Sequence, residues 1–109
     1  MSKTLFGTLE ITLDGETYNL KPTLAAVRAI EAHFGGLRGA SQALNALSIE
    51  GCAVIIAGGA GLTGKAAEAV AEQVWQSGVI EVAVQLNAYL AALYNPKGVD
   101  AGKGQPEKA

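Results

Sequence analysis

Histidine and cysteine are almost missing from this chain, with one of each, His33 and Cys52, among 109 residues. Metal sites in proteins are built from three or four ligands, and no Cys/His cluster exists here to supply them. A Ser-His-Asp or Cys-His arrangement cannot be assembled around a single histidine without arbitrary choices. The sequence therefore points to no catalytic, cofactor-binding or metal-binding residues, and to a protein that is not an enzyme. His33, beside Phe34, reads as a surface or helix-capping side chain. Cys52 has no partner for an intramolecular disulfide, which suits a reducing compartment. Its apolar neighbours make it a small core residue rather than an activated thiol.

A basic excess is missing too. Eight Lys and Arg stand against ten Asp and Glu, giving a formal net charge of -2. Cations that neutralise phosphates supply most of the affinity for DNA or RNA, so no nucleic-acid partner is expected. No apolar run approaches the ~20 residues of a membrane span, and MSKTLFGTLEITL lacks the continuous apolar core of a signal peptide. The expected setting is the cytoplasm, away from any membrane.

What is present is a foldable chain, half apolar and only 17% charged. Its length suits one domain, placed at residues 1–95. From Leu5 to Leu13 the residues alternate, with Leu5, Leu9, Ile11 and Leu13 on one face and Thr8, Glu10 and Thr12 on the other. Asp14-Gly15 then signals a two-residue hairpin turn. Ile11 should face Tyr18 and Leu9 should face Leu20, with only Glu16 out of pattern. Such a hairpin needs something to cover its apolar face, and helices are the only candidates.

Thr23 caps a first helix whose stripe is Leu24, Val27, Ile30 and Phe34, ended by Gly35-Gly36. A second, weaker helix groups Leu37, Ala40, Leu44 and Leu47. Ser48 opens a third segment, Ile49 to Ala57, before the break Gly58-Gly-Ala-Gly61. Its apolar run at 52–57 fits either a helix or a buried strand, and periodicity does not decide. Thr63 opens a fourth helix to Gln76, with Ala67, Val70, Ala71, Val74 and Trp75 on one side. The last helix runs from Val79 to about Tyr94 on a stripe of Val79, Val82, Ala83, Leu86, Leu90 and Leu93, and Asn95-Pro96 stops it. The fold class is α+β: an N-terminal β-hairpin packed on a small bundle of four to five α-helices. Residues 96–109, rich in Gly, Pro and Lys, read as a disordered C-terminal tail.

Three features invite a functional reading. Gly59 to Lys65 fits the G-x-x-x-x-G-K part of a phosphate-binding loop, but Ala66 follows where a Ser or Thr should hold magnesium. A glycine-rich connection between helices is the better reading. Glu68, Glu72 and Glu81 fit solvated helix faces, and the first two form a like-charged pair four residues apart. Trp75, Tyr89 and Tyr94 stand out in a half of the chain built from Ala, Val and Leu. Core packing explains them, and so does a partner-binding groove, because aromatics dominate interface energetics.

The order of features carries more than any one of them. GTLEITLDGETYNLKPTLAAVRAIEAHFGG, LNALSIEGCAVIIAGGAG and LTGKAAEAVAEQVWQSGVIEVAVQLNAYLAALYN together resemble the small tail assembly chaperones of long-tailed bacteriophages, prophages and gene transfer agents, over about residues 5 to 95. The chain departs from that pattern at Gly64-Lys65, which stand where acidic residues would begin the helix. The resemblance implies a non-catalytic chaperone in the host cell cytoplasm whose partners are the tape measure protein and the tail tube protein. A structural tail or head-tail connector component is the alternative, and virion content separates the two. A nucleotide-binding regulator using Gly59 to Lys65 is the third reading. The free backbone edges of the hairpin also allow a homo-oligomer, or a partner's extended segment, to form by strand addition.

If the tail adds nothing to the core, truncation after Asn95 leaves the melting temperature nearly unchanged. A fall of many degrees in a thermal scan shows instead that the tail docks.

Overall fold

The computed structural model describes residues 8–94. The first part of the alternating segment, Leu5 to Gly7, and the tail at 96–109 lie outside them. Within them the chain forms β1 (Leu9–Leu13), β2 (Glu16–Leu20), α1 (Leu24–Phe34), α2 (Leu37–Asn45), α3 (Ile49–Ala60), α4 (Gly64–Ser77) and α5 (Val79–Tyr94). The α+β reading holds, with the hairpin leading and five helices following.

Asp14 and Gly15 both take positive φ, 49° and 85°, which matches the right-handed twist of the strands they join. The register is the expected one: Leu9 faces Leu20, Ile11 faces Tyr18, Leu13 faces Glu16. On the outward face the hydroxyls of Thr12 and Thr17 bond to each other at 3.0 Å. On the inward face Ile11, Leu13 and Leu20 are fully buried. The turn is held from outside as well, because the Asp14 backbone N–H donates to Ser77 Oγ at 3.0 Å, at the end of α4.

Helix α3 is the centre of the molecule. It touches α1, α2, α4, α5 and β2. Ser48 caps it through a 2.9 Å bond from the Gly51 N–H, so the apolar run at 52–57 is helical, not a strand. Gly58-Gly59 do not break it either, since the helix continues to Ala60 and ends at Gly61 in the left-handed region. The two glycines serve close packing. A Cβ on Gly59 would lie 2.7 Å from Tyr89 Oη and 3.0 Å from Leu20 Cβ, and one on Gly58 would press Ile30 and Ala29 at 3.2 and 3.3 Å. Buried positions recur on nearly every side of this helix, as its all-round apolar sequence requires.

The flanking helices are rotated by what they meet. Thr23 Oγ1 accepts from the Ala26 N–H at 3.1 Å, as a capping residue should. However, α1 buries Ala26 and Ile30 against α3 and leaves Leu24 exposed, because small residues allow the close approach at Gly58. In α4 the buried residues are Val70 and Val74, with Ala67 and Ala71 half-buried. Trp75, one residue on and so about 100° around the helix, faces outward. Gly78 then turns the chain from α4 into α5 in one residue. There Val82, Ala83, Leu86, Leu90 and Leu93 are buried as expected, together with Tyr89 and Ala92.

Leu47 departs from its expected place on the α2 stripe. It sits beyond the helix end with φ 58° and is exposed. Its N–H bonds to Leu44 O at 2.9 Å and the next N–H, of Ser48, to Ala43 O at 3.0 Å, the paired bonds that close a helix through a left-handed residue. A leucine there carries a steric cost that glycine avoids. Leu47→Gly is expected to stabilise the fold by about 0.5–1 kcal/mol, after allowing for glycine's freer unfolded state. Urea unfolding reads this as a raised midpoint at unchanged slope, and a lowered midpoint shows that the Leu47 side chain is worth more than its strain.

Candidate functional site

Helix α3 lies between α1 and α4, and past Glu50 its outer ridge carries Val54, Ala57 and Gly58, all half-buried. Short side chains on that ridge and on its neighbours leave a shallow groove on each side. The groove between α3 and α4 has a volume of about 410 Å³, a floor of Ala53, Ala57, Ala67 and Ala71, and the carboxylates Glu50 and Glu68 at its rim. The groove between α1 and α3, about 370 Å³, runs over Ala29, Ala32, Gly58 and Leu62, with His33 at its edge. Val54 and Ala57 line both grooves, so the two form one corrugated face.

The chemistry of this face is simple. Alanine methyl groups and the Val54 side chain offer carbon surface at a depth that suits the side chains of another helix laid across it. The α3–α4 groove has two negative charges on its rim and no Lys or Arg among its lining residues. It therefore favours an apolar segment flanked by Lys or Arg.

The three aromatic candidates separate. Tyr89 is 1% exposed and belongs to the core, which corrects its reading as a partner-binding residue. Its hydroxyl donates to Lys21 O at 2.7 Å, and burial raises its pKa so that it keeps that proton. Trp75 is 62% exposed, on the α4 ridge that also carries Glu68 and Glu72. Tyr94 is 53% exposed, with its hydroxyl donating to Leu37 O at 3.1 Å. Trp75 lies just before the turn into α5 and Tyr94 at the far end of that helix, about 22 Å along it. They form no common site. Sequence reasoning singled out Trp75 but placed it on the packed stripe of α4, and it passed over Ile80 and Val84, which are equally exposed. The signal was available, since α5 holds more apolar residues than one buried face accommodates.

The Gly59 to Lys65 motif is split across three elements. Gly59 and Ala60 belong to α3, Gly61 to Thr63 connect, and Gly64-Lys65 open α4. A helix precedes the connection where a phosphate-binding loop would have a strand, and Gly59 is packed against Tyr89 rather than open to a ligand. Thr63 makes no side-chain bond to the helix start. Among the described residues no three His, Cys, Asp or Glu side chains gather where they could hold a metal ion, and no helix is long and apolar enough to cross a membrane.

Cys52 is buried in α3, and burial pushes its thiol from 9.0 up to about 11. Burial therefore lowers the thiolate fraction as well as blocking access to the sulfur. A thiol reagent at pH 8 should label the native protein slowly and the unfolded protein at once. Equal rates show a Cys52 that solvent reaches. Compared with protein-family models, curated proteins and solved structures, the chain matches none.

Proposed function

We propose that this chain is a protein-binding chaperone of phage tail assembly, without catalytic activity of its own, that holds the helical tape measure protein and helps bring tail tube protein to it. The observation that carries this reading is the acid-rimmed, alanine-floored face astride α3. The resemblance of residues 5 to 95 to tail assembly chaperones supplies the partners. A long helical ruler exposes apolar stripes until tube protein surrounds it, and exposed stripes of that kind need masking. Grooves lined by methyl groups accept such a stripe without demanding one sequence, and many copies along a ruler add their weak affinities. Glu50 and Glu68 select stripes bordered by basic residues.

Ala57 lines both grooves and is half-buried, so a large cation there blocks the face while its head reaches solvent. Titration of a purified tape measure fragment should show at least about a tenfold loss of affinity for Ala57→Arg, with the circular dichroism spectrum retained and Lys65→Ala unaffected. Unchanged binding by Ala57→Arg removes the α3 face from the reading. No binding of tape measure or tube protein by the natural chain removes the reading itself.

A further inference from the structure

Helix α5 is apolar on two sides, and the other described residues cover one. Its inner side carries Val82, Leu86, Tyr89, Leu90 and Leu93. Its outer side carries Ile80 at 63%, Val84 at 66% and Tyr94 at 53% exposure, with exposed Asn87, Ala88 and Ala91 between them. A helix that is hydrophobic nearly all round is normally surrounded by other chain. Single exposed apolar residues are ordinary, but these stand in register.

The steps from Ile80 to Val84, Asn87, Ala91 and Tyr94 are four, three, four and three residues. That is the spacing of a coiled-coil seam, and it confines the five positions to an arc of about 80°. Ala88 borders the seam, and Glu81 and Gln85 lie to the same side beyond it. Ile80, Glu81, Val84 and Gln85 enclose a dip of about 320 Å³ on this surface.

The seam is complementary to itself. Ile80 and Tyr94 lie seven residues to either side of Asn87, and Val84 and Ala91 lie three and four. Two antiparallel copies crossing at Asn87 place each Ile80 on the other's Tyr94 and each Val84 against the other's Ala91. Asn87 meets its own copy, and a carboxamide carries both the donors and the acceptor that an identical group needs. In the single chain the Asn87 amide donates back to Ala83 O at 3.1 Å, a carbonyl within its own helix. A lone asparagine in an apolar seam is a known device for setting register and copy number. Charge favours the same orientation. Glu81 is the one charged residue in α5, and the antiparallel crossing separates the two copies of it by about 18 Å, beyond the screening length at physiological salt. A parallel pairing sets them side by side.

We propose that α5 is a dimerisation helix, on which two copies of this chain associate antiparallel about a two-fold axis through Asn87. The surface lies on a different helix from the α3 face, so each copy in the pair keeps its grooves.

The test is sedimentation velocity on the full chain across a concentration series, with disulfide trapping. The natural chain should be a dimer at about 100 µM, dissociating in the micromolar range or below. Val84→Glu should be monomeric with its circular dichroism and melting temperature retained, because the side chain it replaces is largely in solvent. Asn87→Cys should form a covalent dimer on mild oxidation, since only a two-fold axis brings this position onto itself, and Gln85→Cys should not. A natural chain monomeric at that concentration overturns the proposal, as does a dimer that survives Val84→Glu. A dimer lost in Thr12→Pro but not in Val84→Glu moves the interface to the hairpin edge. A dimer that cross-links equally at 85 and 87 refutes the two-fold at Asn87, and a monomer whose Val84→Glu variant loses a different helical protein gives the seam to another chain.

Discussion

One contact joins the two halves of the fold. Where the chain leaves β2, the Lys21 N–H donates to Gly59 O at 3.2 Å and Lys21 O accepts from the Tyr89 hydroxyl at 2.7 Å. The Tyr89 ring reaches that carbonyl because Gly59 has no side chain in its way. Three elements distant in sequence, β2, α3 and α5, thus meet at a backbone amide, a missing methyl group and a phenol. The backbone groups of a residue leaving a strand cost free energy if buried unpaired, and here both are paired. An added methyl at residue 59 would disturb all three elements at once.

The rest of the architecture depends on this junction. With β2 fixed against the end of α3, the hairpin's apolar face can settle over α4 and α5, and the turn reaches Ser77. With α3 fixed at the centre, α1 and α4 lie on either side of it, and the shortness of their facing residues decides how deep the intervening grooves are. Gly58, Ala29 and Ala26 bring α1 in close. A leucine at any of them pushes the helices apart or fills the groove. The small residues that stabilise the packing thus also make the surface on which the proposed function rests.

The legible parts of this fold are those set by neighbours along the chain. Asp14-Gly15 demands positive φ, so the hairpin register followed from two residues; Thr23 and Ser48 marked helix starts because a hydroxyl satisfies an orphan N–H three residues on. Apart from Leu47, displaced by the local closure of α2, the parts that failed were set by contacts across the chain. Gly58-Gly59 looked like a helix break because the price of glycine is local and its benefit, the approach of Tyr89 and Ile30, is not. Leu24 and Trp75 fell outside their predicted stripes because helix rotation answers to the neighbouring surface and not to the stripe's own average. Tyr89 and Trp75 were alike in type and opposite in fate. The grooves gave no signal by position, since alanine is equally at home on a floor, a ridge or in solvent.

The junction at Lys21 spans 68 residues of sequence and the anchor between Asp14 and Ser77 spans 63. Among the described elements the hairpin is therefore synthesised before the helices and is among the last to be secured. At about 5–20 residues per second, roughly 3–14 s separate the appearance of Lys21 from that of Tyr89. For those seconds the nascent strands hold Ile11, Leu13 and Leu20 without the helices that bury them, and a two-stranded sheet alone is marginal. The described strands thus leave the ribosome well before the helices that cover them, and their apolar face waits on residues more than sixty positions further along.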